Sequence, residues 1–323
     1  MDSFFLIPVK HLVIPSLPGG RFEIYDGIYL SDDLKRLREM MTAPLQEGMG
    51  KLDEEDFKNR GVYVYARKTW LTDDDSPETQ LSTLESYLMI IHLWLTSLWM
   101  VKDCSVSVEE GFLEYPYKTP NARVTSSYFT GSVCSRGDGT HDHTTFSIDE
   151  LKESSEHMTW YFPGKVEVHD LSPRLAQPYG DRERIARALF YVQSSRASNF
   201  VPFKITMYSS ALESLTSTST NEIAHQVAER VALILRSYYK NEGMEVYNSV
   251  KKGYEVRSKF IHGDVIKETK IGDYFRLSVQ FDEYVRLVIK AAWANPELSD
   301  ALLKSPAELN EYFLRKVFGK LDR

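Results

Sequence analysis

Cysteine is scarce in this sequence: Cys104 and Cys134 are the two among 323 residues. Two thiols without a CxxC spacing make neither a disulfide framework nor a cysteine metal site, and they fit a reducing compartment. Long apolar runs are also missing. The most apolar stretch, LMIIHLWLTSLWMV at residues 88–101, is too short to span a bilayer and carries His92, so it is expected to be a buried helix. Position 2 is an aspartate and prolines interrupt the apolar N-terminus, a poor match to a signal peptide. A cytoplasmic protein with no membrane partner is expected. GxGxxG, GxxxxGK[ST], GxSxG and HExxH do not occur, which removes the usual supports for nucleotide hydrolysis and for serine or zinc hydrolase chemistry. No repeat or low-complexity tract appears.

Excess positive charge is lacking too, with a net charge of −7. Its distribution is uneven. From Asp181 onward 22 basic and 18 acidic side chains leave about +4, against 17 and 28 before it, about −11. A mildly basic C-terminal half keeps a nucleic-acid partner open without arguing for one.

The length favours two domains. The first half alternates as β-structure does, in RFEIYDGIYLS, GVYVYARKTW, VSVEEGFLEYPY, ARVTSSYFTGSV and MTWYFPGKVEVHDL. One long helix interrupts it, with Ser76 as N-cap and Pro77 at its first position. A short helix is expected after the capping box SIDE at Ser147. This half therefore reads as α+β, a sheet with one covering helix, over residues 1–175. The stretch HDLSPRLAQPYGD, residues 169–181, reads as the linker.

Residues 181–323 read as an all-α antiparallel bundle. Ile205, Tyr208, Leu212 and Leu215 share one face of its second helix. The third takes Asn221 as N-cap and carries Ile223, Val227, Val231, Ile234 and Tyr238 in register. Gly243 separates it from a helix closed by His262 and Gly263. A further helix runs over residues 273–294, and Ser305-Pro306 opens the last.

Arg257 is the anomaly. At 100° per residue from Val250 it lands at about −20°, inside an apolar arc that also holds Val246, Tyr254 and Ile261. An unpaired guanidinium in a core costs several kcal/mol. It must pair with a carboxylate, for which Glu213 and Glu229 are candidates, or the arc must face a polar cleft or another subunit.

Three stretches give context: ALESL (211–215), HQVAERVALIL (225–235) and VRSKFIHGD (256–264). Together they resemble the ApeA-like branch of the HEPN superfamily, over about 140 C-terminal residues. The resemblance implies a homodimeric helical bundle whose R-x4-H motif cleaves RNA without a metal or other cofactor. It implies Arg257 and His262 as catalytic residues, contributed by both subunits to one cleft. Ser258 stands where active members of the family usually have Asn, Asp or His. Tyr254 could stack a base and Lys259 could touch a phosphate. Glu213 and Arg230 are expected as structural ion-pair partners inside the bundle.

The chemistry suits these residue types. RNA carries its own nucleophile, the 2′-OH; a histidine can take its proton, and a planar guanidinium can hold two oxygens of the transition state. The products would be a 2′,3′-cyclic phosphate and a 5′-OH. The family setting implies anti-phage defence or abortive infection, with the acidic half sensing a phage or cellular trigger. The alternatives are a non-catalytic module for dimerisation or RNA binding, and a regulatory partner of another enzyme. A purely structural reading makes Arg257 an internal ion pair and His262 a helix-terminal residue that favours the dipole.

Two smaller features stand apart. His141 and His143, in HDH, could bind a metal if Asp142 or Glu150 joined them, but loop histidines are the simpler reading. The RGD tripeptide at Arg136–Asp138 has a high chance frequency.

Overall fold

A computed structural model describes residues 2–69, 76–115, 124–128, 134–161, 184–240, 242–264 and 271–319. The chain divides into two compact units. One takes Met1–Cys134 and His141–Leu175, the other Ser135–Thr140 and Ala176–Arg323. The first is an antiparallel sheet with helices and the second is helical. The expected linker at residues 169–181 lies outside the described residues.

In chain order the sheet unit holds β1 (Asp2–Lys10), β2 (Leu12–Val13), β3 (Phe22–Tyr25), β4 (Ile28–Ser31), α1 (Leu34–Met40), α2 (Ala43–Arg60) and β5 (Tyr63–Thr69). There follow α3 (Pro77–Val101), β6 (Ser107–Val108), β7 (Glu110–Glu114), β8 (Val124–Tyr128), β9 (Thr144–Thr145) and α4 (Ile148–Tyr161). The strand order is β3-β4-β5-β1-β7-β8, with β6 also on β1 and every pair antiparallel; β2 and β9 form a separate parallel pair.

The central strand is β1, DSFFLIPVK, the segment weighed above only as a leader. Successive side chains of a strand point to opposite faces. Leu6 packs with Leu37, Leu45, Met49 and Phe57 of α1 and α2. On the other face Phe5 stacks on Tyr87 of α3 at 4.7 Å. A strand covered on both sides is apolar without alternation, which is why β1 escaped the period-2 pattern. A Cβ on Gly111 of β7 would stand 2.8 Å from Leu88, so a glycine lets α3 lie close on the sheet.

The single covering helix expected for this half is thus corrected to helices on both faces. α2 was hidden by its composition: it is strongly polar and breaks at Gly50, whose φ is +78°. MTWYFPGKVEVHDL is also corrected, since residues 158–161 end α4 rather than open a strand; the rest lies outside the described residues. Ser76 caps α3 through the Thr79 N–H, and the Ser147–Glu150 box closes in both directions, as the sequence predicts. The expectation that the apolar run at residues 88–101 is too short to span is corrected by the helix that carries it: among the described residues α3 alone is long and apolar enough to cross a membrane, and 72% of its most apolar window is buried, as in a core helix.

The helical unit holds α5 (Arg184–Arg196), α6 (Val201–Thr216), α7 (Ile223–Leu235), α8 (Gly243–His262), α9 (Ile271–Ala294), α10 (Pro296–Leu303) and α11 (Pro306–Phe318). The α6 face of Ile205, Tyr208, Leu212 and Leu215 is fully buried. α10 was not anticipated; Asn295 caps it rather than only ending α9. The expected cap of α7 is corrected from Asn221 to Glu222, which is left-handed at φ +50° and makes no side-chain cap bond. Tyr238 falls beyond the end of α7 and is exposed.

Candidate functional site

The site is built on α8. Val246, Val250 and Val256 bury its inner face, and Gly253 lets α9 approach so closely that a Cβ would lie 2.1 Å from the Phe281 ring. The helix stops at Gly263, φ +75°, where the Gly263 N–H bonds to Phe260 O and the Asp264 N–H to Lys259 O. This pairing satisfies carbonyls that a helix end would leave open.

Arg257 resolves its anomaly inside the helical unit. Its Nη1 donates to Oε2 of Glu213 on α6 at 2.5 Å. The Tyr254 hydroxyl donates to the same oxygen at 3.1 Å, and the guanidinium carbon lies 5.4 Å from the centre of the Tyr254 ring. Of the two carboxylates considered, Glu213 is the partner. The Arg257 and Glu213 side chains keep 26% and 27% of their exposure, so the pair sits at the edge of the core, within reach of solvent. Burial, and next the Glu213 charge, push the Tyr254 phenol far above its ordinary range. It therefore stays protonated and donating, and its hydroxyl is engaged with Glu213.

His262 is exposed in the last turn, Ser258 is exposed, and Lys259 is half-buried. Ile261, placed by helical spacing within the apolar arc, is 59% exposed. Five residues turn an α-helix by about 500°, so Arg257 and His262 project roughly 140° apart. One copy of α8 therefore does not aim both side chains at one point.

Arg230 is corrected. Its Nη1 donates to Thr216 O (2.6 Å) and Thr218 Oγ1 (3.0 Å), and its Nη2 to Asn310 Oδ1 (2.5 Å). The guanidinium lies over the Phe313 ring at 4.7 Å. These partners are neutral oxygens and an aromatic face rather than a carboxylate. Burial lowers its pKa to about 10, so it stays charged at neutral pH. Sequence spacing could not find Asn310 and Phe313, which lie some eighty residues further along, on α11. A cavity of about 350 Å³ beside it is lined by His225, Glu229, Arg230, Asn310 and Phe318 among others. Neither Arg257 nor His262 lines it.

In the sheet unit the HDH loop meets a histidine that the sequence reading missed. The rings of His141 and His143 lie 6.1 and 5.5 Å from that of His11, and His141 Nδ1 is 3.1 Å from Cys134 O. Glu150 does not join them, being held by Lys102 and Ser147. Among the described residues no three His, Cys, Asp or Glu side chains are arranged to hold a metal ion.

Comparison with known proteins gives no match, whether to a family model, a curated protein or a solved structure.

Proposed function

We propose that this protein is a cytoplasmic, HEPN-type endoribonuclease that cleaves RNA through 2′-OH attack and acts as a homodimer of its helical unit. The observation that carries the reading is an R-x4-H motif on one helix with a solvent-reachable guanidinium and an exposed imidazole. The three HEPN-like stretches support it from the sequence side.

In this reading His262 takes the 2′-OH proton, and Arg257 stabilises the charge that gathers on the phosphoryl oxygens. The angular separation of the two side chains supports a composite cleft, in which a second copy of α8 supplies the missing half. Glu213 and the Tyr254 hydroxyl hold the guanidinium in one orientation, and a fixed donor costs less to organise in the transition state than a floppy one. Ser258 and Lys259 lie between the two and would contact the RNA backbone. The biological role that fits is anti-phage or abortive-infection effector, with the acidic sheet unit receiving the trigger.

A second reading is favoured by the ion pair itself. A carboxylate at 2.5 Å already occupies Arg257, as it would in a bundle used only for dimerisation or RNA binding.

The test is incubation of the full chain with a mixed RNA pool in EDTA beside His262→Ala. Fragments ending in 2′,3′-cyclic phosphate from wild type alone are expected. RNA bound but never shortened by either protein would establish the second reading.

A further inference from the structure

Lys204, in the first turn of α6, is fully buried and carries an ammonium group with three N–H donors. All three have acceptors: Ser135 Oγ at 2.8 Å, Ser195 O at 3.0 Å and Ser198 O at 3.2 Å. A buried cation without such a shell would be severely unfavourable. One acceptor comes from the six-residue strap Ser135–Thr140, which belongs to the helical unit although its chain neighbours on both sides belong to the other. The RGD tripeptide lies inside this strap.

The strap is anchored at several points. The Ser135 N–H donates to Arg196 O at 2.7 Å, and its hydroxyl donates to Ser198 O at 2.6 Å. The Ser278 hydroxyl of α9 donates to Gly137 O at 2.6 Å. At Gly139 the φ is +87°, and a Cβ would lie 2.6 Å from Asn199 O. Strap and α5–α6 turn are therefore packed backbone to backbone.

That turn leads directly to the candidate site. Phe200 and Phe203, at its exit, hold the Phe260 ring at 5.8 and 6.3 Å. Phe260 lies two residues before His262, and its carbonyl accepts the N–H of Gly263 that ends α8. We propose that the strap Ser135–Thr140, with Lys204, is a positioning element for the last turn of α8, acting through Phe200, Phe203 and Phe260 on His262. Its consequence for catalysis rests on the reading of His262 as the general base; its structural consequence does not.

Hydrogen exchange on the full chain tests the structural part, with Gly139→Ala lifting the strap from Asn199 and Ser278→Ala removing the donor to Gly137 O. Both variants are expected to exchange faster in residues 196–206 and also in residues 257–263, by about tenfold for Ser278→Ala, as expected for the loss of one buried hydrogen bond, and by at least as much for the steric clash of Gly139→Ala. Faster exchange confined to the strap and the α5–α6 turn, with residues 257–263 as protected as in wild type, overturns the proposal. If Gly139→Ala fails to fold, Ser278→Ala decides alone. With RNA as substrate, kcat is expected to fall while RNA affinity holds. A wild type that never cleaves RNA defeats the nuclease reading, and the exchange data still decide on the strap.

Discussion

Removing the guanidinium of Arg257 separates the structural and catalytic uses of that residue. Exposed ion pairs contribute about 0.2–1 kcal/mol, whereas breaking a buried pair costs about 3–5 kcal/mol. With about a quarter of each side chain exposed, the Arg257–Glu213 pair belongs between these limits. Water can still reach a Glu213 left alone, and the Tyr254 hydroxyl still donates to it. Arg257→Met is therefore expected to cost about 1–2 kcal/mol and leave a folded protein. Glu213→Gln, which keeps an acceptor for Tyr254, should cost about 1 kcal/mol. A double-mutant cycle by urea unfolding should give a coupling of about 1 kcal/mol. If Arg257 also stabilises the transition state, Arg257→Met should lower RNA cleavage about 10²–10³-fold, far beyond what its small loss of stability explains. A stability loss of 3 kcal/mol or more would refute the edge-of-core argument. Arg257 would then be a buried lock whose removal abolishes activity by unfolding. Cleavage unchanged in a folded Arg257→Met would remove Arg257 from the chemistry.

Gly253→Ala should destabilise the helical unit, since the overpacking cost of about 1–3 kcal/mol against the fully buried Phe281 exceeds the helix-propensity gain of about 1 kcal/mol. Adding Phe281→Leu should recover part of the loss in the same denaturation assay. Burial alone would raise the Glu150 carboxyl, but Lys102 and the Ser147 cap outweigh it and hold it below its ordinary value. A depressed carboxylate contributes stability above its unfolded pKa of about 4.3, and that stability is lost as pH falls through the lower folded value. Lys102→Met should therefore flatten the acid limb of unfolding curves below about pH 4.5, by less than about 1 kcal/mol for a pair roughly one-third exposed. Arg230→Met should cost about 2 kcal/mol or more by leaving Thr216 O and Asn310 without their donor, read as a drop in Tm of the helical unit.

Much of the helical half was legible from the chain. The fully buried face of α6, the Ser305-Pro306 start of α11 and the glycine stop of α8, like the Ser147–Glu150 box of α4 in the sheet unit, depend on neighbours within a few residues, and local spacing encodes them. The anomaly of Arg257 was equally visible, because one charged residue breaks a periodic apolar arc. What hid the sheet unit's layout was its layering. β1 is apolar on both sides because helices cover both faces of the sheet, and α2 is polar and kinked enough to pass for loop.

By itself the sequence determined most of the helices of the C-terminal half, where several of them begin and end, and that Arg257 needed a partner. Only the tertiary structure chose Glu213 as that partner, gave Arg230 a cage of neutral oxygens and placed Ser135 against Lys204. Those contacts join residues 44, 80 and 69 positions apart. Helical periodicity fixes which face a side chain takes, but the element that meets that face is set by how the helices pack.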